Sequence, residues 1–147
     1  MKVSHRFDKS IIRSYDIRGI FKKTLFEKDA KVIGQLFGLR IGKGNTVNIG
    51  YDGRHSSEAL KESLIKGLLE TGVNICEIGL VPTPLLYFSC FKNHSKGGIM
   101  ITGSHNPKDY NGFKFVLDNL PFYGEDLKKL ERDAKDFSIS IHLGKKT

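Results

Sequence analysis

Apolar positions along this chain recur with two alternating periods. From Phe26 to about Gly42, Ala30, Ile33, Leu36, Phe37 and Ile41 return at spacings of three and four. That pattern predicts a helix with one apolar stripe, stopped by Gly42, Gly44 and Asn45. Val47 to Asp52 is a short β-branched run that reads as a strand. A second helix follows, with Ser56 or Ser57 as N-cap, Glu58 in its first turn, and Leu60, Leu64, Leu68 and Leu69 before a stop at Gly72. Val73 to Gly79 is the next strand. Pro84 suits the first turn of a helix carrying Leu85, Leu86, Phe88 and Phe91. Strands are expected at 98–102 and about 113–118, and an amphipathic helix from Glu125 to about Phe137. Ile11 to Ile20 alternates only in part and reads as a short strand and turn. Residues 1–10 are expected to be a flexible leader and 138–147 a tail or linker.

Helices alternating with strands across short connections indicate an α/β fold. The expected architecture is a three-layer α/β/α sandwich over residues 11–137, with a four-stranded mixed sheet. The step across residues 103–112 is too short for a parallel crossover, so the last strand runs antiparallel to its neighbour. Ligands of such sheets gather beyond the carboxyl ends of the parallel strands. Two loops fit that place, 52–56 and 102–108.

Composition narrows the functional classes. With 147 residues, 39% hydrophobic and 27% charged, the chain has the make-up of one ordinary globular domain. No apolar run is long enough for a membrane span, and MKVSHRFDKSIIRSYD has no apolar signal core, so a cytoplasmic protein without membrane partners is expected. Cys76 and Cys90 lack metal-ligand spacing and read as free thiols. The formal net charge of +8 raises nucleic acid as a partner. The lysines are scattered, however, without a dense run or interleaved aromatics, and an anionic small molecule accounts for the charge better.

Chemistry concentrates in GGIMITGSHNPKDYNGFKF, residues 97–115. A buried strand breaks into Thr102-Gly103-Ser104-His105-Asn106-Pro107, and a returning strand carries Lys114. Ser104 and His105 are adjacent and point apart in extended chain, which disfavours a serine–histidine triad. A hydroxyl after a glycine, with Lys114 and Arg18 available to neutralise an anion, suits phosphoryl transfer, where positioning and charge stabilisation dominate.

These residues also support a family comparison. Thr102 to Pro107 with Asp109-Tyr110-Asn111-Gly112-Phe113-Lys114 closely resembles the active-site loop of the α-D-phosphohexomutases, the phosphomannomutase/phosphoglucomutase enzymes. Tyr15-Asp16-Ile17-Arg18-Gly19-Ile20, Gly50 to Ser57, and Gly79 to Pro84 resemble further family motifs in the same order. The resemblance implies that Ser104 is a phosphoserine that exchanges its phosphoryl group with a hexose phosphate. Hexose 1-phosphate and hexose 6-phosphate would thereby interconvert through a bisphosphorylated sugar, with hexose 1,6-bisphosphate as activator. It implies His105, Lys114 and Arg18 as catalytic partners, and Tyr15, Asn106, Asn111 and Arg54 as cleft residues. It also implies a Mg²⁺ held by the Ser104 phosphate and by a DGDxDR-type loop of a second domain. No DGDxDR loop occurs in this sequence. The expectation is therefore the first of the family's four domains, incomplete alone, either as a fragment or with the missing domains on another chain, and with an exposed interdomain face prone to self-association. The alternatives are an inactive remnant or binding module and, less favoured, a basic nucleic-acid-binding domain.

Overall fold

The computed structural model describes residues 1–147, and its centre is the parallel trio that the short apolar runs predict. These strands are β3 (Thr46–Tyr51), β4 (Asn74–Leu80) and β5 (Gly97–Ile101). They are joined by α2 (Ser57–Glu70) and α3 (Thr83–Asn93), and preceded by α1 (Glu27–Ile41). β6 (Tyr110–Leu117) returns antiparallel to β5, with Ile101 opposite Phe113.

The sheet has six strands rather than the four expected, in the order β2-β6-β5-β3-β4, with a further strand on β6. β2 (Ile17–Ile20) and β7 (Leu120–Phe122) are the additions, and they share one edge of β6. β2 pairs with Tyr110–Phe113 and β7 with Phe115–Leu117. β2 ends the Ile11–Ile20 stretch expected as a short strand and turn but left out of the four-stranded sheet, and β7 lacks the usual sequence signal. β2 is four residues containing Arg18 and Gly19, and β7 is three residues containing Pro121, which only an edge strand tolerates. β7 folds back through Asp118 and Asn119, both at positive φ (53° and 61°), as a two-residue hairpin turn requires.

The three layers are unequal. α1, α2 and α4 (Glu125–Ala134) cover one face, where Ile33, Phe37, Leu64, Phe113, Phe115 and Leu130 belong to a core of 26 buried residues. α3 alone covers the other face, where Leu86 and Cys90 meet Met100 and Val116 in a group of only four, so most of the buried apolar area lies on the first side. α1 and α2 approach backbone to backbone. A Cβ on Gly34 would collide with the Leu64 carbonyl oxygen, and one on Gly67 with the Lys31 carbonyl oxygen. The outer face of α3 is unpartnered, with Phe88 and Phe91 58% and 66% exposed.

The two ends of the chain, expected as leader and tail, both lie against the body. β1 (Lys2–Val3) pairs with β8 (Phe137–Ser138), Phe7 is buried, and His5 Nε2 is 2.6 Å from Asp29 Oδ1. Residues 142–147 run alongside β4, forming parallel bridges from Thr71 to His142 and from Ile75 to Lys146. Lys61 sits buried beneath them, 2.6 Å from Glu77 and 3.0 Å from Glu58, and Glu77 also pairs with Lys146 at 2.9 Å. Two carboxylates on Lys61 outweigh the cost of its burial and raise its pKa.

Candidate active site

The carboxyl ends of β3 and β5 deliver the two loops identified from the sequence to one end of the sheet. The ladder runs one residue past each strand: Asp52 N–H donates to the Ile101 carbonyl at 2.9 Å, and Thr102 N–H to the Gly112 carbonyl at 3.0 Å. Beyond Thr102 the chain turns sharply. Ser104 lies at φ 53°, a left-handed conformation that non-glycine residues adopt at a cost of about 1–3 kcal/mol and that clusters at functional sites. Its N–H donates to Thr102 Oγ1 at 2.9 Å, and its side chain is exposed. The serine is thus held through its backbone, and its hydroxyl faces solvent.

Asp52 and Arg54 hold the loop from below. The Asp52 carboxylate accepts from Gly103 N–H (2.9 Å), Ser57 Oγ (2.8 Å), Arg54 N–H (3.2 Å) and Arg54 Nε (3.2 Å). Burial pushes its pKa up, but the donors from Gly103, Ser57, Arg54 and Thr102 outweigh that and hold it below the usual carboxylate range. The Arg54 guanidinium donates to the carbonyls of Ser104 (3.1 Å), Asn106 (2.7 Å), Pro107 (2.5 Å) and Tyr110 (3.0 Å). Gly103 lies directly against it, where a Cβ would fall onto the guanidinium carbon. Arg54, expected as a cleft residue, instead spends its donors on the loop backbone, and Asp52 is a site residue beyond those expected. An acid that ends a strand two residues before an arginine was the available signal.

The other candidates divide between the two faces. Arg18 is buried; it donates to the Thr102 carbonyl and pairs with Asp16 at 2.9 Å, so it braces the root of the loop. Asn111 is fully buried on the α2 side, donating to Ser56 Oγ (2.8 Å) and Ser57 Oγ (3.0 Å) and accepting from Gly112 N–H (2.9 Å). The Ser56 hydroxyl therefore receives Asn111 and makes no cap bond to α2, although Ser56 occupies the expected N-cap position. Asn106 closes the loop on the Gly103 carbonyl at 3.1 Å. His105 is exposed beside Ser104.

Lys114 is half-buried on the α3 side, since it alternates with the core residues Phe113 and Phe115. It lines a pocket of about 330 Å³ with Tyr15, Tyr87, Pro121 and Tyr123, and Tyr15 stacks on Tyr123 with ring centroids 5.7 Å apart. Burial raises the Tyr87 pKa, with the Asp16 and Cys90 charges adding to the effect. On the other side of the loop a second pocket, about 570 Å³, is lined by Lys23, His55, Ser56 and Lys108.

The chain's own side chains do not build a magnesium site. The Asp52 carboxylate is engaged by four donors, Asp16 is paired with Arg18, and no group of three acidic, histidine or cysteine side chains could hold an ion. No helix is long and apolar enough to cross a membrane.

The family model for phosphoglucomutase/phosphomannomutase, alpha/beta/alpha domain I, matches residues 9–138. The chain belongs to the phosphoglucomutase/phosphomannomutase family. A phosphomannomutase/phosphoglucomutase of Pseudomonas putida is 43% identical over 92% of this chain and 30% of its own length. A phosphoglucomutase of Neisseria meningitidis is 42% identical over 83% of this chain and 27% of its own. A crystal structure of a phosphoglucomutase/phosphomannomutase family protein from Burkholderia thailandensis superposes with a TM-score of 0.85 at 36% identity, covering 96% of this chain and 33% of that one. This chain therefore corresponds to domain I of the family and spans about 30% of the length of these relatives.

Proposed function

We propose that this chain is the phosphoserine-bearing domain of a phosphohexomutase, with Ser104 as the group that carries the phosphoryl. The supporting observation is an exposed serine held in a left-handed backbone conformation, beyond a parallel strand, in a loop that Asp52 and Arg54 fix through its backbone. In the proposed exchange the bond from phosphorus to Ser104 Oγ breaks as a bond to a sugar hydroxyl oxygen forms. The sugar hydroxyl gives its proton to a base in the cleft, and Ser104 Oγ takes one up as it leaves. In the return step Ser104 Oγ yields that proton as it accepts a phosphoryl group from the bisphosphorylated sugar, whose released oxygen is protonated. His105, next to Ser104 in sequence, and Lys114, half-buried on β6, are the candidates that the family resemblance offers for proton transfer and charge stabilisation. Arg18 supports the same loop from its carbonyl side. A hexose 1,6-bisphosphate supplies the first phosphoryl group. A cytoplasmic location fits the two unpaired cysteines.

Complete turnover requires groups outside this chain, because its side chains supply no set of metal ligands. The exposed α3 residues Leu85, Phe88 and Phe91 offer a face for the remaining mutase domains or, in their absence, for a second copy. Incubation with glucose or mannose 1,6-bisphosphate should attach one phosphate to the chain, detected by mass and lost in Ser104→Ala. Label that persists in Ser104→Ala, or none in the unsubstituted chain, refutes the assignment. The inability to build the metal site favours a second reading, that of a folded but catalytically silent domain. Mutase turnover by the purified chain would exclude it.

A further inference from the structure

All five N–H donors of the Arg54 guanidinium are engaged inside the protein, Nε by Asp52 and the remaining four by the carbonyls of Ser104, Asn106, Pro107 and Tyr110. No donor is left for a substrate phosphate. The carbonyls it gathers belong to the segment that bends at Ser104, and they converge on one planar fork. Asp52 anchors that fork through Nε and takes Gly103 N–H at the entrance to the same bend. Gly103 leaves the guanidinium room to lie flat against the backbone.

We propose that Arg54, docked on Asp52, is a positioning residue that presets the Ser104 hydroxyl for phosphoryl exchange, with no part in binding sugar phosphate. The inference rests on the assignment of Ser104 as the phosphoryl carrier. A lysine cannot replace this arginine, because three donors on one nitrogen cannot span four carbonyls and a carboxylate. The left-handed conformation of Ser104 is costly by itself, so without the fork the loop relaxes and the hydroxyl leaves its reactive position.

The test follows phosphorylation of Ser104 by glucose 1,6-bisphosphate in Arg54→Ala, Arg54→Lys and the near-isosteric Asp52→Asn, each checked for folding by near-ultraviolet circular dichroism. A positioning role lowers the maximal labelling rate of both Arg54 variants by about a hundredfold, the scale of a small misplacement. The half-saturating bisphosphate concentration stays within about twofold, because no ligand contact was removed. Asp52→Asn moves the rate in the same direction by a smaller factor. A rise in the half-saturating concentration at an unchanged maximal rate overturns the proposal and makes Arg54 a phosphate ligand. Amide exchange over residues 103–110 provides a measurement independent of chemistry. It should speed up in Arg54→Ala, and unchanged protection there also overturns the proposal. If the unsubstituted chain takes no label, the assignment of Ser104 falls, and the exchange result alone decides whether Arg54 sets the loop.

Discussion

Asn111 offers a sharp test of how the sheet is tied to α2, because its hydrogen bonds have a direction. Its Nδ2 donates to Ser57 Oγ, and Ser57 Oγ donates its single proton onward to Asp52 Oδ1. Asn111→Asp preserves the shape but places an acceptor against a hydroxyl that has no second proton to give. It also puts a carboxylate where the residue is 0% exposed. Burial of that kind raises a carboxyl pKa by about 2–3 units, equivalent to about 3–4 kcal/mol at pH 7. In a domain of this size that lowers Tm by roughly 10 °C. Asn111→Ala loses the two donated bonds, about 2 kcal/mol, before any cavity cost. A raised folded pKa means the folded state binds the extra proton, so the aspartate penalty is full above the folded value and disappears below the unfolded value near about 4. Urea unfolding of both variants, each relative to the unsubstituted chain at pH 4 and pH 7, checks this. Asn111→Asp should be the weaker of the two at pH 7 and should recover by pH 4. An aspartate variant as stable as the alanine variant at both pH values would refute the directional network.

Three further outcomes follow from the same geometry. The Asp52 pKa is depressed by Gly103, Ser57, Arg54 and Thr102, so its contribution to loop order is complete above the unfolded value and is lost only as pH falls through the lower folded value. Amide protection over residues 103–110 should therefore persist at pH 4, and its loss between pH 6 and pH 5 would contradict the assignment. Gly67→Ala drives a methyl onto the Lys31 carbonyl oxygen and should cost about 1–3 kcal/mol by parting α1 from α2; a neutral effect in urea would mean the helices are not in backbone contact. Burial, partly opposed by a bond from Ser89, pushes the Cys90 thiol up to about 11. A thiol reagent at pH 8 should therefore modify Cys76 promptly and Cys90 only on unfolding, and two fast equivalents would refute that.

The elements legible in the sequence were those whose burial repeats. α1 and α2 carry full apolar stripes, and β3, β4 and β5 are compact runs between turn signals. The serine loop was equally plain, because a run of turn formers directly after a buried strand has few other meanings. β2 lies within the Ile11–Ile20 stretch expected as a short strand and turn, but its place in the sheet was not legible, and β7 was hidden altogether, for a physical reason. Their places come mainly from pairing with the edge of β6, and Arg18 and Pro121 conceal the pattern that such strands normally show. The roles of the loop residues were harder to foresee. Asn111 and Lys114 are three residues apart on one strand and therefore point to opposite faces, one into the α2 junction and the other towards Tyr15 and Tyr87. A list of motif residues does not carry that parity until the register is known. Asp52 was not legible because its importance lies in four donors, two of them from Arg54 and the others from Ser57 and from Gly103, the last on a loop distant in sequence.

The strand-like run of residues 142–147 beside β4 also determines where the chain leads. Because the Ile75–Lys146 bridge is parallel, the backbone at Thr147 is travelling towards the end of the sheet where Ser104 sits. A polypeptide joined to Thr147 by a short flexible tether would emerge on that side. It would meet the serine loop at an effective concentration of about millimolar, without having to cross the body of the domain. Covalent connection through Thr147 is thus a geometric shortcut. A cleft-completing partner fused there needs far less intrinsic affinity than one supplied free in solution.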